Sequence, residues 1–356
     1  MVSDRFSPIS WKTGELTLLD QRSLPRKKTF LKITTSNETI SAIREMAVRG
    51  APAIAITGVF GLALGAKSKS GEVSPNDLKN LLASVMESRP TAVNLSYALK
   101  EAEDRVKHSL NWEEVSVIWE KLALELMQND LSDNLSLGKN GLSLFSESKD
   151  EIHIVTHCNT GALATAGHGT ALGVIRSLRD AGKKVIVYAD ETRPFLQGSR
   201  LTVFEMMEEG IECYIITDGM SGWLFNNRKI DAVLVGCDRV AANGDTANKI
   251  GTYTLAISAK QHGVPFYVCA TKDSFDLKLE TGSQIPIEMR REEEVTRFDF
   301  LKDGNGEIFV PEGMTAPVGA RALNPSFDIT PSSFIKNFIT EFGCFPPGEI
   351  KTRLKK

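Results

Sequence analysis

Apolar and polar positions follow two different rhythms along the 356 residues. Up to about residue 36 the apolar positions come in short strand-like runs, Leu16-Thr17-Leu18-Leu19 and Thr29-Phe30-Leu31-Lys32-Ile33. Thr35, with Glu38 three residues later, has the form of a capping box, and the segment behind it sets Ile40, Ile43 and Met46–Ala47 on one helical face. A helix of small residues is predicted to begin after Arg49-Gly50-Ala51-Pro52, with Pro52 near its first turn, and to fade in the loop Lys67-Ser68-Lys69-Ser70-Gly71. Further helices are predicted over 75–88, 92–109 and 113–145, the last weakened by Gly138 and Gly141.

The rhythm changes at the polar stretch Ser146-Glu147-Ser148-Lys149-Asp150, which divides the chain into an N-terminal domain, 1–147, and a C-terminal one, 148–356. Beyond it, unbroken apolar runs of strand length alternate with helical segments: Ile152–Thr156, Lys184–Ala189, Cys213–Thr217, Ala232–Gly236 and Pro265–Cys269. Unbroken runs suit strands buried on both faces, and their alternation with helices is the pattern of an α/β fold with a parallel sheet. A mainly helical N-terminal domain that opens on short strands therefore precedes an α/β domain.

Composition removes several function classes. A formal net charge of −3 argues against gripping nucleic acid or an anionic membrane by bulk charge. No apolar stretch reaches the ~20 residues of a membrane span, and Met1–Phe6 lacks the pattern of a signal peptide. Five scattered cysteines without a C-x-x-C pair fit neither a disulfide framework nor a zinc site. Free thiols point to a reducing compartment, the cytoplasm by default.

Ligands of open parallel sheets bind outside the carboxyl ends of the strands. Here those ends run into His157-Cys158-Asn159, Asp190-Glu191-Thr192-Arg193, Asp218-Gly219, Cys237-Asp238-Arg239 and Thr271-Lys272-Asp273. Cys158 lies in a loop with glycine close behind, unlike Cys213, Cys269 and Cys344, which read as buried packing residues, and Cys237, which ends its strand. Asp238 precedes a polar stretch, Ala241–Lys249, read as a loop able to fold over a ligand. Asp218 is open to two roles, capping the next helix or facing a ligand. His157 leans to closing its strand rather than orienting a base. Gly167, Gly169 and Gly173 miss the dinucleotide fingerprint by one residue and come too long after the strand. Arg49 and Arg89 each precede an apparent helix start, where an arginine fork and free amides suit a phosphate, and Lys249 adds a third cation.

Six segments in order resemble the methylthioribose-1-phosphate isomerase family: Val48–Ile54, Ser88–Leu95, Thr156–Gly161, Glu191–Leu201, Val235–Asp245 and Asn248–Thr252. Leu19-Asp20-Gln21 and Asn324–Pro331 extend the likeness over nearly the whole chain. The resemblance implies a mainly helical N-terminal domain carrying a small β-sheet cap, a Rossmann-like C-terminal domain, a homodimer, and conversion of 5-methylthioribose 1-phosphate to its ketose without metal or organic cofactor. By position it puts the catalytic thiol and carboxylate on Cys158 and Asp238. It puts substrate contacts on Arg49, Gly50, Ala51, Arg89, Gln197, Asn248 and Lys249. The fold is shared with ribose-1,5-bisphosphate isomerase and with the alpha, beta and delta regulatory subunits of the translation-initiation guanine-nucleotide exchange factor. Cys158, Asp238 and Arg49-Gly50-Ala51-Pro52 together favour an enzyme.

Overall fold

The computed structural model describes residues 7–12, 14–90, 92–145, 150–297, 316 and 319–354. The chain forms two compact units, Met1–Ser132 with Ala162–Gly169, and Asp133–Gly161 with Thr170–Lys356. The division expected between 147 and 148 falls on 146–149, outside the described residues.

The first unit opens with an antiparallel sheet of β1 (Ile9–Lys12), β2 (Glu15–Leu19) and β3 (Phe30–Ile33). Ile9 pairs with Leu18 and Leu16 with Ile33, so these buried side chains share one face. Thr35 caps α1 (Ser36–Arg44): its hydroxyl accepts the Glu38 amide while the Glu38 carboxylate accepts the Thr35 amide, the reciprocal box the sequence predicts. α2 (Ala51–Lys67) is buried without a break from Ala53 to Ala66, as its lack of a polar face requires. Its glycines let neighbours close in: a methyl on Gly61 would lie 2.7 Å from Thr39 Cγ2, and one on Gly65 2.7 Å from Leu81 Cδ1. α3 (Pro75–Met86), α4 (Val93–Arg105) and the long α5 (Trp112–Gly141) follow. Trp119 of α5 is fully buried and donates its indole N–H to Ala102 O at 2.8 Å, so its burial leaves no orphaned donor.

The second unit continues with β4 (Glu151–Thr156), α6 (Ala171–Asp180), β5 (Lys184–Asp190), α7 (Val203–Glu208), β6 (Glu212–Ile216), α8 (Ser221–Asn227) and β7 (Ala232–Val235). Then come β8 (Arg239–Ala241), β9 (Thr246–Lys249), α9 (Thr252–Gln261), β10 (Phe266–Cys269), β11 (Phe275–Asp276), α10 (Glu293–Thr296), β12 (Phe327–Thr330), β13 (Asn337–Thr340), β14 (Gly343–Phe345) and α11 (Ile350–Arg353). The five strands read from apolar runs each appear within one residue of their expected bounds. Among the described residues they join β13 and β14 in a sheet ordered β14-β13-β10-β7-β4-β5-β6, parallel except for the β13–β14 pair.

Strand periodicity divides this sheet's side chains between two cores. Val155, Val233, Val235, Phe266 and Val268 pack with Leu224 of α8 and Leu255 and Ala259 of α9. Ile152, Ile154, Val185, Val187 and Leu234 pack with Leu172 and Ile175 of α6 and Met206 of α7. Helices thus cover both faces, the reason the strands read as continuous apolar runs.

The polar stretch 241–249 corrects the loop reading. It forms the turn and second strand of a β8–β9 hairpin, in a second sheet ordered β11-β8-β9-β12. Asn243-Gly244-Asp245 makes the turn: Gly244 has φ +89°, and Asn243 Oδ1 accepts the Asp245 amide at 3.0 Å. No described helix is long and apolar enough to cross a membrane.

Candidate active site

From β4 the chain builds outward to β5 and β6, then returns to lay β7 on the other side of β4. This is where strand order reverses, the point at which open parallel sheets leave a crevice beyond their carboxyl ends. Thr156 of β4 pairs with Leu234 of β7, so Cys158 and Asp238 leave neighbouring strands at one edge. Gly236 keeps the two exits close, because a Cβ there would run into the Thr160 side chain.

Cys158 is 8% exposed and has φ +65°, a left-handed conformation that costs an L-residue about 1–2 kcal/mol. Its backbone is held on both sides. The Cys158 amide donates to Thr192 Oγ1 at 2.9 Å, and Thr202 Oγ1 donates to the Cys158 carbonyl at 2.6 Å. Next to it, Asn159 Nδ2 donates to Glu205 Oε1 at 2.8 Å. Glu205 is fully buried and accepts from Arg176 Nη2 at 2.6 Å, so a buried ion pair between α7 and α6 supports the loop.

His157 is also buried. Its Nδ1 lies 2.9 Å from Asp190 Oδ2 and its Nε2 2.8 Å from Ile250 O. A carbonyl accepts only, so Nε2 carries a proton. Burial pulls the His157 pKa down, but the hydrogen bond and charge of Asp190 outweigh it and raise the value above the ordinary one. Burial pushes Asp190 up to about 6 against the opposing pull of His157. Asp218 completes a cluster with these two whose ligand atoms lie within 4.8 Å of one another. Both ring nitrogens of His157 and both oxygens of Asp218 already make hydrogen bonds, while the buried Asp190 Oδ1 has no hydrogen-bond partner among the described residues. Asp218 Oδ1 and Oδ2 accept the amides of Thr192 and Arg193 at 2.8 and 2.7 Å. Asp218 thus does not cap α8, whose N-cap is Met220, but holds one backbone amide on each of its oxygens.

Asp238 is half-buried, and its amide donates to Ala247 O at 2.9 Å, next to Asn248. Asn248 is buried and donates to Thr252 Oγ1 at 3.0 Å. The Lys249 ammonium donates to Ser326 O at 2.8 Å and sits 4.5 Å from the centre of the Phe327 ring. Gln197 lies ahead of a π-helical turn, Gly198–Thr202, and is 2% exposed. Its Oε1 has no hydrogen-bond partner among the described residues, an acceptor available to a bound hydroxyl. In the first unit, Arg49 is half-buried ahead of α2, whose N-cap Gly50 has φ +91° and would drive a Cβ into Ala164. Ala51 is the first residue of α2, and Arg89 lies half-buried in the turn after α3. Thr91, quoted in the same motif, is outside the described residues.

Burial pushes the Cys213 and Cys237 thiols up to about 12 and raises those of Cys269 and Cys344. The sequence reading missed Thr192, Thr202 and the Arg176–Glu205 pair. Glu205 carried a signal, a lone carboxylate inside the apolar run Val203-Phe204-Glu205-Met206-Met207.

The model of the initiation factor 2 subunit family matches residues 47–347. A methylthioribose-1-phosphate isomerase of Leptospira biflexa is 72% identical over 355 residues, 100% of this chain and 99% of the relative. Among solved structures, 5-methylthioribose 1-phosphate isomerase from Pyrococcus horikoshii is 35% identical with a TM-score of 0.85, covering 98% of this chain and 95% of that one. Translation initiation factor eIF-2B subunit delta from A. fulgidus is 37% identical at the same TM-score of 0.85, covering 99% of this chain and 100% of that one.

Proposed function

Since the chain belongs to the initiation factor 2 subunit family and, within it, to the methylthioribose-1-phosphate isomerases, we propose that Cys158 and Asp238 carry an aldose–ketose isomerisation. The reaction turns 5-methylthioribose 1-phosphate into 5-methylthioribulose 1-phosphate, a step of methionine salvage. The observation that carries the site reading is the exit of Cys158 and Asp238 from adjacent strands at the reversal of strand order. The order β6-β5-β4-β7-β10-β13 also supports a Rossmann-like reading of the sheet.

The anomeric oxygen of this substrate is phosphorylated, so the ring cannot open to a free aldehyde. The Asp238 carboxyl gives a proton to the ring oxygen as the C1–O bond breaks, and the resulting carboxylate takes the proton from O2 as C2 becomes a carbonyl. Hydrogen moves from C2 to C1 by one of two routes. Cys158 either takes it as a proton and returns it, or lines the path of a direct hydride shift. Arg49, Arg89 and Lys249, with Gln197, Asn248 and the backbone of Gly50 and Ala51, are assigned to phosphate and hydroxyls and supply orientation. No metal or organic cofactor enters the scheme. The active form is read as a homodimer, which its mass in solution tests, and its place as the cytoplasm.

Cys158→Ser and Asp238→Asn, assayed on the sugar phosphate, test the roles: full turnover in both folded variants would overturn them. Deuterium entering C1 in heavy water marks the proton route, and its absence marks the hydride shift. Turnover of ribose 1,5-bisphosphate in preference to the methylthio sugar would move the chain to that isomerase. No turnover of either, with co-purifying initiation-factor subunits, would favour the regulatory reading raised by the likeness to eIF-2B subunit delta.

A further inference from the structure

Two successive strand exits carry strained residues that face one another. Cys158 has φ +65°, and Thr192, fully buried after β5, has φ +64°. For a β-branched residue this conformation is an outlier, and such strain persists only where the surroundings over-determine it. Here they do. The amides of Thr192 and Arg193 donate to the two oxygens of Asp218 at 2.8 and 2.7 Å, fixing the backbone from outside. The Thr192 hydroxyl donates its proton to Asp190 O at 3.0 Å. With that proton committed, Oγ1 turns only lone pairs toward Cys158, whose amide donates to it at 2.9 Å. The chain of fixed bonds runs Asp218, Thr192, Cys158, and it ends on the residue whose thiol is read as reactive.

We propose that Thr192 and Asp218 are positioning residues that hold Cys158 left-handed and so aim its thiol at the C1–C2 bond of the sugar. The inference rests on the reading of Cys158 as a reacting group. Thr192→Val removes the hydroxyl at nearly constant volume, and Thr192→Ser keeps it. A thiol displaced by about 1 Å can lose on the order of a hundredfold in turnover. Thr192→Val is therefore expected to lower kcat by about that factor with KM little changed, whereas Thr192→Ser restores most of kcat. In a Cys158→Ser background Thr192→Val should cost nothing further, because the aim no longer matters. Asp218→Asn sets an N–H against one of two amides and should follow Thr192→Val.

Wild-type kcat in Thr192→Val, or equal loss in Thr192→Val and Thr192→Ser, would overturn the proposal while leaving Cys158 in place. Full activity in Cys158→Ser would instead remove the reading beneath it. Loss of folding in both Thr192→Val and Asp218→Asn by circular dichroism would assign these residues to the structure alone and also overturn the proposal.

Discussion

Nδ1 of His157 and Oδ2 of Asp190 lie 2.9 Å apart, both buried, with Nε2 of the same ring committed to Ile250 O. One proton must lie between ring and carboxylate, because two lone pairs cannot face each other at that distance. The folded pair therefore keeps a proton that the separated groups release. The His157 pKa is raised and that of Asp190 is pushed up to about 6, and both shifts have the same sign for stability. Each contribution is full below the unfolded value and is lost as pH rises through the folded one. The free energy of unfolding, measured in urea, is expected to fall as pH rises above the ordinary histidine range, by at most about 1.4 kcal/mol per pH unit for one proton. Asp190→Asn should flatten that dependence; an unchanged slope in the variant would assign it elsewhere.

Gln197 separates stability from function. Its buried Oε1 lacks a partner in the described structure, and an orphaned acceptor costs about 1–3 kcal/mol. Gln197→Met should leave the melting temperature unchanged or higher while KM for the sugar phosphate rises. A lower melting temperature with unchanged KM would remove Gln197 from the substrate contacts.

Among the five thiols, four are raised by burial. Burial disfavours the thiolates of those four, so on the reading of Cys158 as the reacting group iodoacetamide at pH 8 should mark the Cys158 peptide of the folded protein first, and substrate should protect it. Mass spectrometry reads the site directly, and first labelling of Cys213 or Cys344 would contradict the assignment.

Arg176 and Glu205 test the support beneath the Cys158 loop. Removing one partner of a buried ion pair costs about 3–5 kcal/mol, because the other charge stays buried and unpaired. Arg176→Met should lower stability by about that amount, and Arg176→Met with Glu205→Gln should recover part of it. Additive losses in a double-mutant cycle would show that the pair is not coupled.

The sequence announces whatever rests on local rules. The Thr35–Glu38 box needs four neighbouring residues, and the strand runs around Ile152–Thr156 and Ala232–Val235 are apolar because both their faces are covered. The hairpin over 239–249 was hidden because Thr246-Ala247-Asn248-Lys249 is a strand made largely of polar or small residues, paired in a small side sheet. The His157–Asp190 pair joins residues 33 apart, and Cys158 meets Thr192 across 34. No periodicity reports such partners. They follow only once β4 and β5 lie side by side, and the local reading of Asp218 as a helix cap gives way to its bonds with the Thr192 and Arg193 amides.

The eight residues Ala162–Gly169 belong with the first unit although the second flanks them on both sides. Gln21 donates to Leu163 O at 2.7 Å, and Asp130 accepts the Ala166 amide at 2.7 Å, so this return visit is fastened near both ends. A chain that threads back in this way cannot be cut once to yield two self-sufficient pieces. A single crossover between two relatives anywhere from 131 to 161 would give one unit residues of mixed parentage at these fastenings. The two units are bound to be inherited as a pair, because part of the first is encoded between two stretches of the second.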